Sequence, residues 1–322
     1  MSSHSFWETL PKPFYCLAPM ADVTDAAFRR LIAKYGKPDV TWTEFVSVDG
    51  LCSPGREALL HDFVYTEAER PIVAQIFGSQ PDNFYKVAGM IADLGFDGID
   101  INMGCPDRNV EKQGGGAAMM KDASLAQDVI AATKEGGKGL PVSVKTRVGF
   151  NKVELDDWLP KLLETGLAAV TIHARTRKEM SLVPANWDHV KRAVEIRNER
   201  APQTLIIGNG DARDLVDAKE KATATGADGV MLGRAIFGNP WLFTGKTDIA
   251  LAERFNVMLE HTRLFEELLG NVKNFAVMKK HYKAYVNGFD GAKELRVRLM
   301  ETNSFREVED IVENWLSQKN EV

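Results

Sequence analysis

Cysteine is scarce and dispersed in this 322-residue chain, which holds only Cys16, Cys52 and Cys105. Three thiols at wide spacing exclude a disulfide framework and make no CxxC pair for a metal, so no metal site is expected. Also missing is any run of ~18 apolar residues, which excludes a membrane-spanning helix. The first dozen residues are polar around Phe6 and Trp7 and lack a signal-peptide core, so the expected compartment is the cytoplasm. Positive charge is lacking as a total: the net charge of −5 argues against a nucleic-acid partner. Its distribution argues the other way. Residues 273–298 carry seven Lys or Arg against Asp290 and Glu294, a local balance of +5. A solvated helix face is the plainer account of such a run.

Eight short β-branched or aliphatic runs are present: Tyr15-Cys16-Leu17, Val40-Thr41-Trp42, Ile72 to Ile76, Gly98 to Ile101, Val142 to Lys145, Val170 to His173, Leu205 to Ile207 and Gly229 to Leu232. Helix-like stretches separate them, with amphipathic spacing over residues 82–94, 124–135, 155–164 and 215–225. This alternation predicts an α/β fold, a (β/α)8 TIM barrel, with a doubly wound open sheet as its competitor. The barrel is favoured because polar or glycine residues follow nearly every run, among them Glu44, Gln75, Cys105, Lys145, His173 and Arg234. In a barrel such strand ends meet at one mouth. From residue 249 onward only helical periodicity remains, over 252–269, 275–287, 292–301 and 305–316. The expected division is a catalytic barrel over 1–245 and a small all-helical domain over 246–322.

Gly208-Asn209-Gly210-Asp211 and Gly233-Arg234 follow the seventh and eighth runs. Glycine lets backbone N–H groups come close to a phosphate, and Arg234 can close on the same anion. One such loop reads as a tight turn; two, at the barrel positions that commonly hold phosphate, favour a phosphate site. Lys145 and His173 end apolar strands and point to the mouth, where a buried ammonium demands an anion or a polar ring. Gln75 offers a donor and an acceptor for an imide edge. A free cysteine is usually a small buried hydrophobe, the reading for Cys16 and Cys52. Cys105 differs, since Gly104 and Pro106 bracket it in a loop after the fourth strand. With a reference pKa of about 8.5 it is mostly thiol at neutral pH, a state that suits a proton donor. The run Gly114-Gly115-Gly116 is by itself a mobile loop or an anion cradle.

In this order, Leu17-Ala18-Pro19-Met20-Ala21-Asp22-Val23-Thr24-Asp25, Gln75-Ile76-Phe77-Gly78, Asn102-Met103-Gly104-Cys105-Pro106, Val144-Lys145-Thr146-Arg147, His173-Ala174-Arg175-Thr176-Arg177, Gly208-Asn209-Gly210-Asp211 and Gly233-Arg234-Ala235 resemble the bacterial tRNA-dihydrouridine synthase family. The resemblance covers essentially the whole chain, including a tail around Met278-Lys279-Lys280-His281. It implies an FMN-binding barrel with a helical tRNA-binding domain. FMN contacts would fall on Pro19, Met20, Ala21, Gln75, Lys145, His173, Asn209, Gly210, Asp211, Gly233 and Arg234. Cys105 would be the general acid, with Asn102 and Arg175 or Arg177 near the target uracil. Hydride would pass from NADPH to FMN and on to uracil C6, with the proton for C5 coming from Cys105. The base would be flipped into the mouth. Phosphate contacts would come from the basic stretch that begins at Lys273, including Lys279, Lys280, Lys283, Arg296 and Arg298, with His281, Tyr282 and Tyr285 interleaved. The chain departs from the family pattern at Ala174 and over residues 178–183, a loop expected to touch substrate. A monomer is expected. Two rivals stand beside this reading: an FMN-dependent reductase of a free pyrimidine or other small unsaturated molecule, and a non-catalytic tRNA-binding barrel.

Overall fold

A computed structural model describes residues 5–320. Eight parallel strands form its centre: β1 (Phe14–Leu17), β2 (Thr41–Ser47), β3 (Ile72–Phe77), β4 (Gly98–Met103), β5 (Val142–Arg147), β6 (Ala169–His173), β7 (Leu205–Asn209) and β8 (Gly229–Leu232). They run in the order β1-β8-β7-β6-β5-β4-β3-β2. A parallel bridge from Cys16 to Val40 brings the two ends together, so the sheet curls into a barrel. The open-sheet competitor is thereby set aside. Every strand buries nearly all its residues because helices cover one face and the packed interior the other, as parallel sheets require.

The covering helices are α1 (Ala26–Tyr35), α2 (Val48–Leu51), α3 (Pro81–Asp93), α4 (Arg108–Lys112), α5 (Ala123–Gly136), α6 (Leu155–Leu163), α7 (Asp188–Arg200) and α8 (Leu215–Thr225). Their starts are written in the sequence. Asp25, Asp107, Asp122 and Asp214 each accept a hydrogen bond from a first-turn backbone N–H, and Pro81 opens α3. The link from β2 to β3 departs from the alternation: short 3-10 turns replace a long helix. β2 itself runs past the predicted Trp42 to Ser47, with a bulge between Trp42 and Phe45. Glu44 therefore lies inside a strand, buried, and not beyond its end.

Four helices follow: α9 (Leu251–Leu269), α10 (Val277–Tyr285), α11 (Ala292–Leu299) and α12 (Phe305–Asn320). Phe255, Met258, Phe265, Tyr282 and Leu295 from these helices share one apolar cluster with Phe28, Leu31 and Ile32 of α1 and with Val230 and Leu232 of β8. The helical segment is thus welded to the barrel by a continuous core.

That core corrects part of the expected basic surface. His281, Tyr282 and Tyr285 are fully buried, pointing inward from α10, so they are not interleaved among surface cations. Lys273 is also withdrawn, its ammonium held by the carboxylate of Glu44 on the barrel. Of the remaining cations, Lys283, Lys293 and Arg298 are exposed and Lys279 and Lys280 half-buried. Arg296 is half-buried and donates through Nη1 to the carbonyl of Val286, 2.7 Å away. Among the described residues no helix is long and apolar enough to cross a membrane, and no three His, Cys, Asp or Glu side chains are grouped to hold a metal ion.

Candidate active site

At the C-terminal ends of β1 and β5 to β8 the barrel opens into a cavity of about 250 Å³. Its lining includes Pro19 and Met20 after β1, Lys145 on β5, and His173 and Arg175 at and after β6. Asn209, Gly210 and Asp211 add the β7 end, and Gly233 and Arg234 the β8 end. Of the eleven positions expected to meet a cofactor, only Ala21 and Gln75 do not line it. Ala18, Ser181, Ala212 and Met231 line it without having been anticipated; all but Ser181 sit beside predicted residues.

The loop geometry after β7 depends on glycine. Gly210 has φ +129°, and a Cβ there would stand 2.7 Å from that of Ala185. Asp211, also left-handed at φ +53°, joins three elements. Its Oδ1 accepts from Arg234 Nη2 at 2.6 Å, and its Oδ2 accepts from Arg175 Nη2 at 2.5 Å and from the Ala185 amide at 2.9 Å. Arg175 is 3 % exposed and Arg234 67 % exposed, so the first is enclosed and the second lies at the mouth open to solvent.

Arg175 Nη1 also lies 3.2 Å from His173 Nε2. A guanidinium only donates, so Nε2 must accept and the imidazole proton sits on Nδ1. Burial, with Lys145 and Arg147 nearby, holds the His173 pKa well below its ordinary value, keeping the ring neutral. Among the described residues the Lys145 ammonium has no hydrogen-bond partner. Burial, reinforced by the Arg147 charge, lowers its pKa to about 8. A partly desolvated ammonium without a partner is costly unless something anionic or electron-rich meets it.

Gln75 is fully buried beneath this floor. Its Nε2 donates to Asp100 Oδ2 at 2.6 Å, and its Oε1 accepts from Asn102 Nδ2 at 3.1 Å. Asn102 Oδ1 in turn accepts from the Gly104 and Cys105 amides at 3.1 and 2.9 Å. Asn102 and Gln75 therefore shape the turn that carries Cys105. Buried Asp100, its pKa raised to about 6 by desolvation, also accepts from Ser143 Oγ at 2.6 Å.

Cys105 is half-buried after β4, and Asn102 of that strand pairs in register with Lys145. Desolvation raises its pKa above the ordinary value, although Lys145 and Arg147 pull the other way, so it is a thiol at neutral pH. Gly116, the last of the glycine run, has φ +57°, and a Cβ there would approach the Cys105 carbonyl to 2.6 Å. The run thus lets the chain pass against the cysteine turn. Cys105, Asn102 and Arg177 are not among the residues that line the cavity; Arg177 pairs with Glu111 on α4 at 2.5 Å. Buried Arg147 donates to the carbonyls of Gly104, Thr176 and Met180, tying the loops after β4 and β6 to β5.

Residues 16–320 match the dihydrouridine synthase (Dus) family. A Staphylococcus aureus (strain MRSA252) protein described as "Probable tRNA-dihydrouridine synthase" is 40% identical over 321 residues, covering 98% of this chain and 97% of its own. A Bacillus subtilis (strain 168) protein described as "Probable tRNA-dihydrouridine synthase 2" is 40% identical over 317 residues, covering 97% of each. Among solved structures, morphinone reductase superposes with a TM-score of 0.53 at 14% identity, over 74% of this chain and 86% of its own, a likeness of fold alone. With its barrel, its cation-lined mouth and its Asn-Met-Gly-Cys-Pro turn, the chain belongs to the dihydrouridine synthase family.

Proposed function

We propose that this protein reduces specific uridines of tRNA to 5,6-dihydrouridine, with FMN as cofactor, NADPH as reductant and Cys105 as proton donor. The observation that carries the reading is the Lys145 ammonium, without a hydrogen-bond partner among the described residues, in a cavity also lined by Arg175 and Arg234. That donor set fits a flat, electron-rich ring with a phosphate tail. Lys145 would face the ring, while Arg234 and the backbone at Gly210 and Gly233 would hold the phosphate. When bound, FMN supplies hydride for uracil C6. Neutral His173, donating from Nδ1, orients without adding charge. Cys105 holds a proton on Sγ for C5, and its raised pKa keeps that proton in place until it is needed. Asn102, which holds that turn, and Arg175, which lines the cavity, would orient an extruded base, with Arg177 contributing from outside the lining. Lys279, Lys280, Lys283 and Arg298 offer contacts to the tRNA backbone, to which Arg296 can add its free nitrogens. Such a substrate belongs to the cytoplasm.

Transfer RNA from a strain lacking this gene tests the proposal. Incubated with the protein and NADPH, it should gain the mass of two hydrogens at a defined uridine, read by mass spectrometry of nuclease fragments. NADPH-dependent reduction of free uracil with untouched tRNA would transfer the assignment to the small-molecule rival.

A further inference from the structure

The loop after β6 is held rigidly, yet it lifts a large apolar side chain into solvent. Leu182 is 85 % exposed, with Met180 at 45 % and Val183 at 41 % beside it. Floppiness is not the reason. Arg147 Nη1 grips the Met180 carbonyl at 2.9 Å and Arg175 Nε grips the Val183 carbonyl at 2.6 Å, one anchor on each side of the tip. Glu179 Oε2 accepts from the Thr176 amide at 2.7 Å, and the Leu182 amide donates to the Glu179 carbonyl. A loop so fastened pays a solvation cost to display leucine, which marks a contact surface.

This loop divides two spaces. Ser181 lines the inner cavity, while Leu182 and Val183 face an outer hollow of about 460 Å³. Val153 adds to its apolar floor, and Lys152 and Lys178 stand at its edge, their ammonium groups with no ion pair or hydrogen bond among the described residues. Glu179, the one acid of the lining, is turned back onto Thr176. An apolar floor with unpaired ammonium groups beside it suits a nucleobase and its phosphate.

We propose that this outer hollow is a second nucleotide subsite, which takes the unpaired RNA nucleotide flanking the one inserted in the cavity. Leu182 and Val153 cover the face of its base, and Lys152 and Lys178 meet its phosphates. The inference rests on the reading of tRNA as substrate. It adds that this chain grips two adjacent nucleotides, one on each side of the 177–183 loop. The hollow adjoins the catalytic mouth through Ser181, and its charge complements RNA, which favours a nucleotide over a second copy of the chain.

Steady-state kinetics on tRNA with the full-length, flavin-loaded protein test it. Leu182→Ser should raise KM for tRNA about tenfold and leave the salt dependence of KM as it was, because an apolar contact is lost. Lys178→Gln and Lys152→Gln should each reduce the slope of log KM against log salt by roughly 0.7. Val216→Ser, another exposed apolar side chain, on α8, is the control and should change neither. If the unsubstituted protein modifies tRNA but all three variants match it in KM and salt slope, the subsite is wrong while the function stands. If the unsubstituted protein leaves tRNA untouched, the functional reading fails first. A concentration-dependent dimer that Leu182→Ser dissolves, seen by sedimentation with KM unmoved, would assign the hollow to a second copy and overturn the proposal.

Discussion

The ammonium of Lys273, on the loop between α9 and α10, lies 2.6 Å from Oε2 of Glu44 in the middle of β2. Asp62 and Asp22 stand at 3.5 and 3.6 Å from the same nitrogen. Glu44 Oε1 meanwhile accepts from the Asp22 amide, two residues past the cavity-lining Met20. One cation thus joins the helical segment to the loop after β1.

Lys273→Met should break this tie. Removing one partner from a buried pair strands the other charge, so the urea midpoint should fall by the equivalent of about 3 kcal/mol. KM for tRNA should rise as the helical segment loses its anchor. Adding Glu44→Gln to Lys273→Met should restore part of the stability, since the most buried carboxylate is neutralised while Asp62 and Asp22 still lack the cation they faced. An unchanged midpoint in the single variant would show that the cluster carries no net stability.

Glu44 also has a pH signature. Burial raises its pKa from an ordinary 4.5 to about 7 against the pull of Lys273. The folded protein therefore binds more protons than the unfolded chain between those values, and its contribution to stability falls as pH rises through that window. In Glu44→Gln the fall should vanish, as read by thermal midpoints from pH 4.5 to 7.

The buried histidines act with the opposite sign. Among the described residues His281 has no hydrogen-bond partner on either ring nitrogen, and burial lowers its pKa to about 3. It lies against Phe28, Phe237 and His261, with the Lys280 charge nearby. The unfolded chain takes up the proton first, so stability is lost as pH falls from 6.5 towards 3, by roughly 1.4 kcal/mol per pH unit at most. His281→Phe should flatten this acid limb in chemical denaturation series. An unaltered limb would assign acid sensitivity elsewhere.

Lys145→Met trades function for stability. Its folded pKa of about 8 lies below the ordinary 10.5, so the ammonium weakens the apoprotein as pH falls through that interval and at every lower pH. Replacing it should raise apoprotein stability by on the order of 1–3 kcal/mol at pH 7 and weaken flavin binding, measured by fluorescence titration. A less stable apoprotein would mean that the ammonium has a partner in solution.

Cys105→Ala should lower dihydrouridine formation at least about a hundredfold, the scale of general-acid catalysis. Gly116→Ala, forced to φ +57° against the Cys105 carbonyl, should lose about 1–3 kcal/mol and displace the same turn. Full turnover by Cys105→Ala would remove the thiol from the chemistry.

Much of this was legible in the chain. The apolar runs and the glycines at Gly210 and Gly233 act through local geometry, which a sequence pattern records. Leu215–Thr225 came out residue for residue, because Asp214 starts that helix and Gly226, at φ +73°, stops it. Lys145, His173 and Arg234 could be placed at one mouth because strand ends in a barrel converge whatever the intervening loops do. Pairings between residues far apart in the chain were not legible. The basic run from Lys273 to Arg298 looked like one surface; which of its members face water depends on where α10 meets α1. Folding alone set Lys273 against Glu44, 229 positions apart, and turned His281 and Tyr285 inward. Burial and partner choice are properties of packed neighbours, and packing joins residues that no local spacing connects.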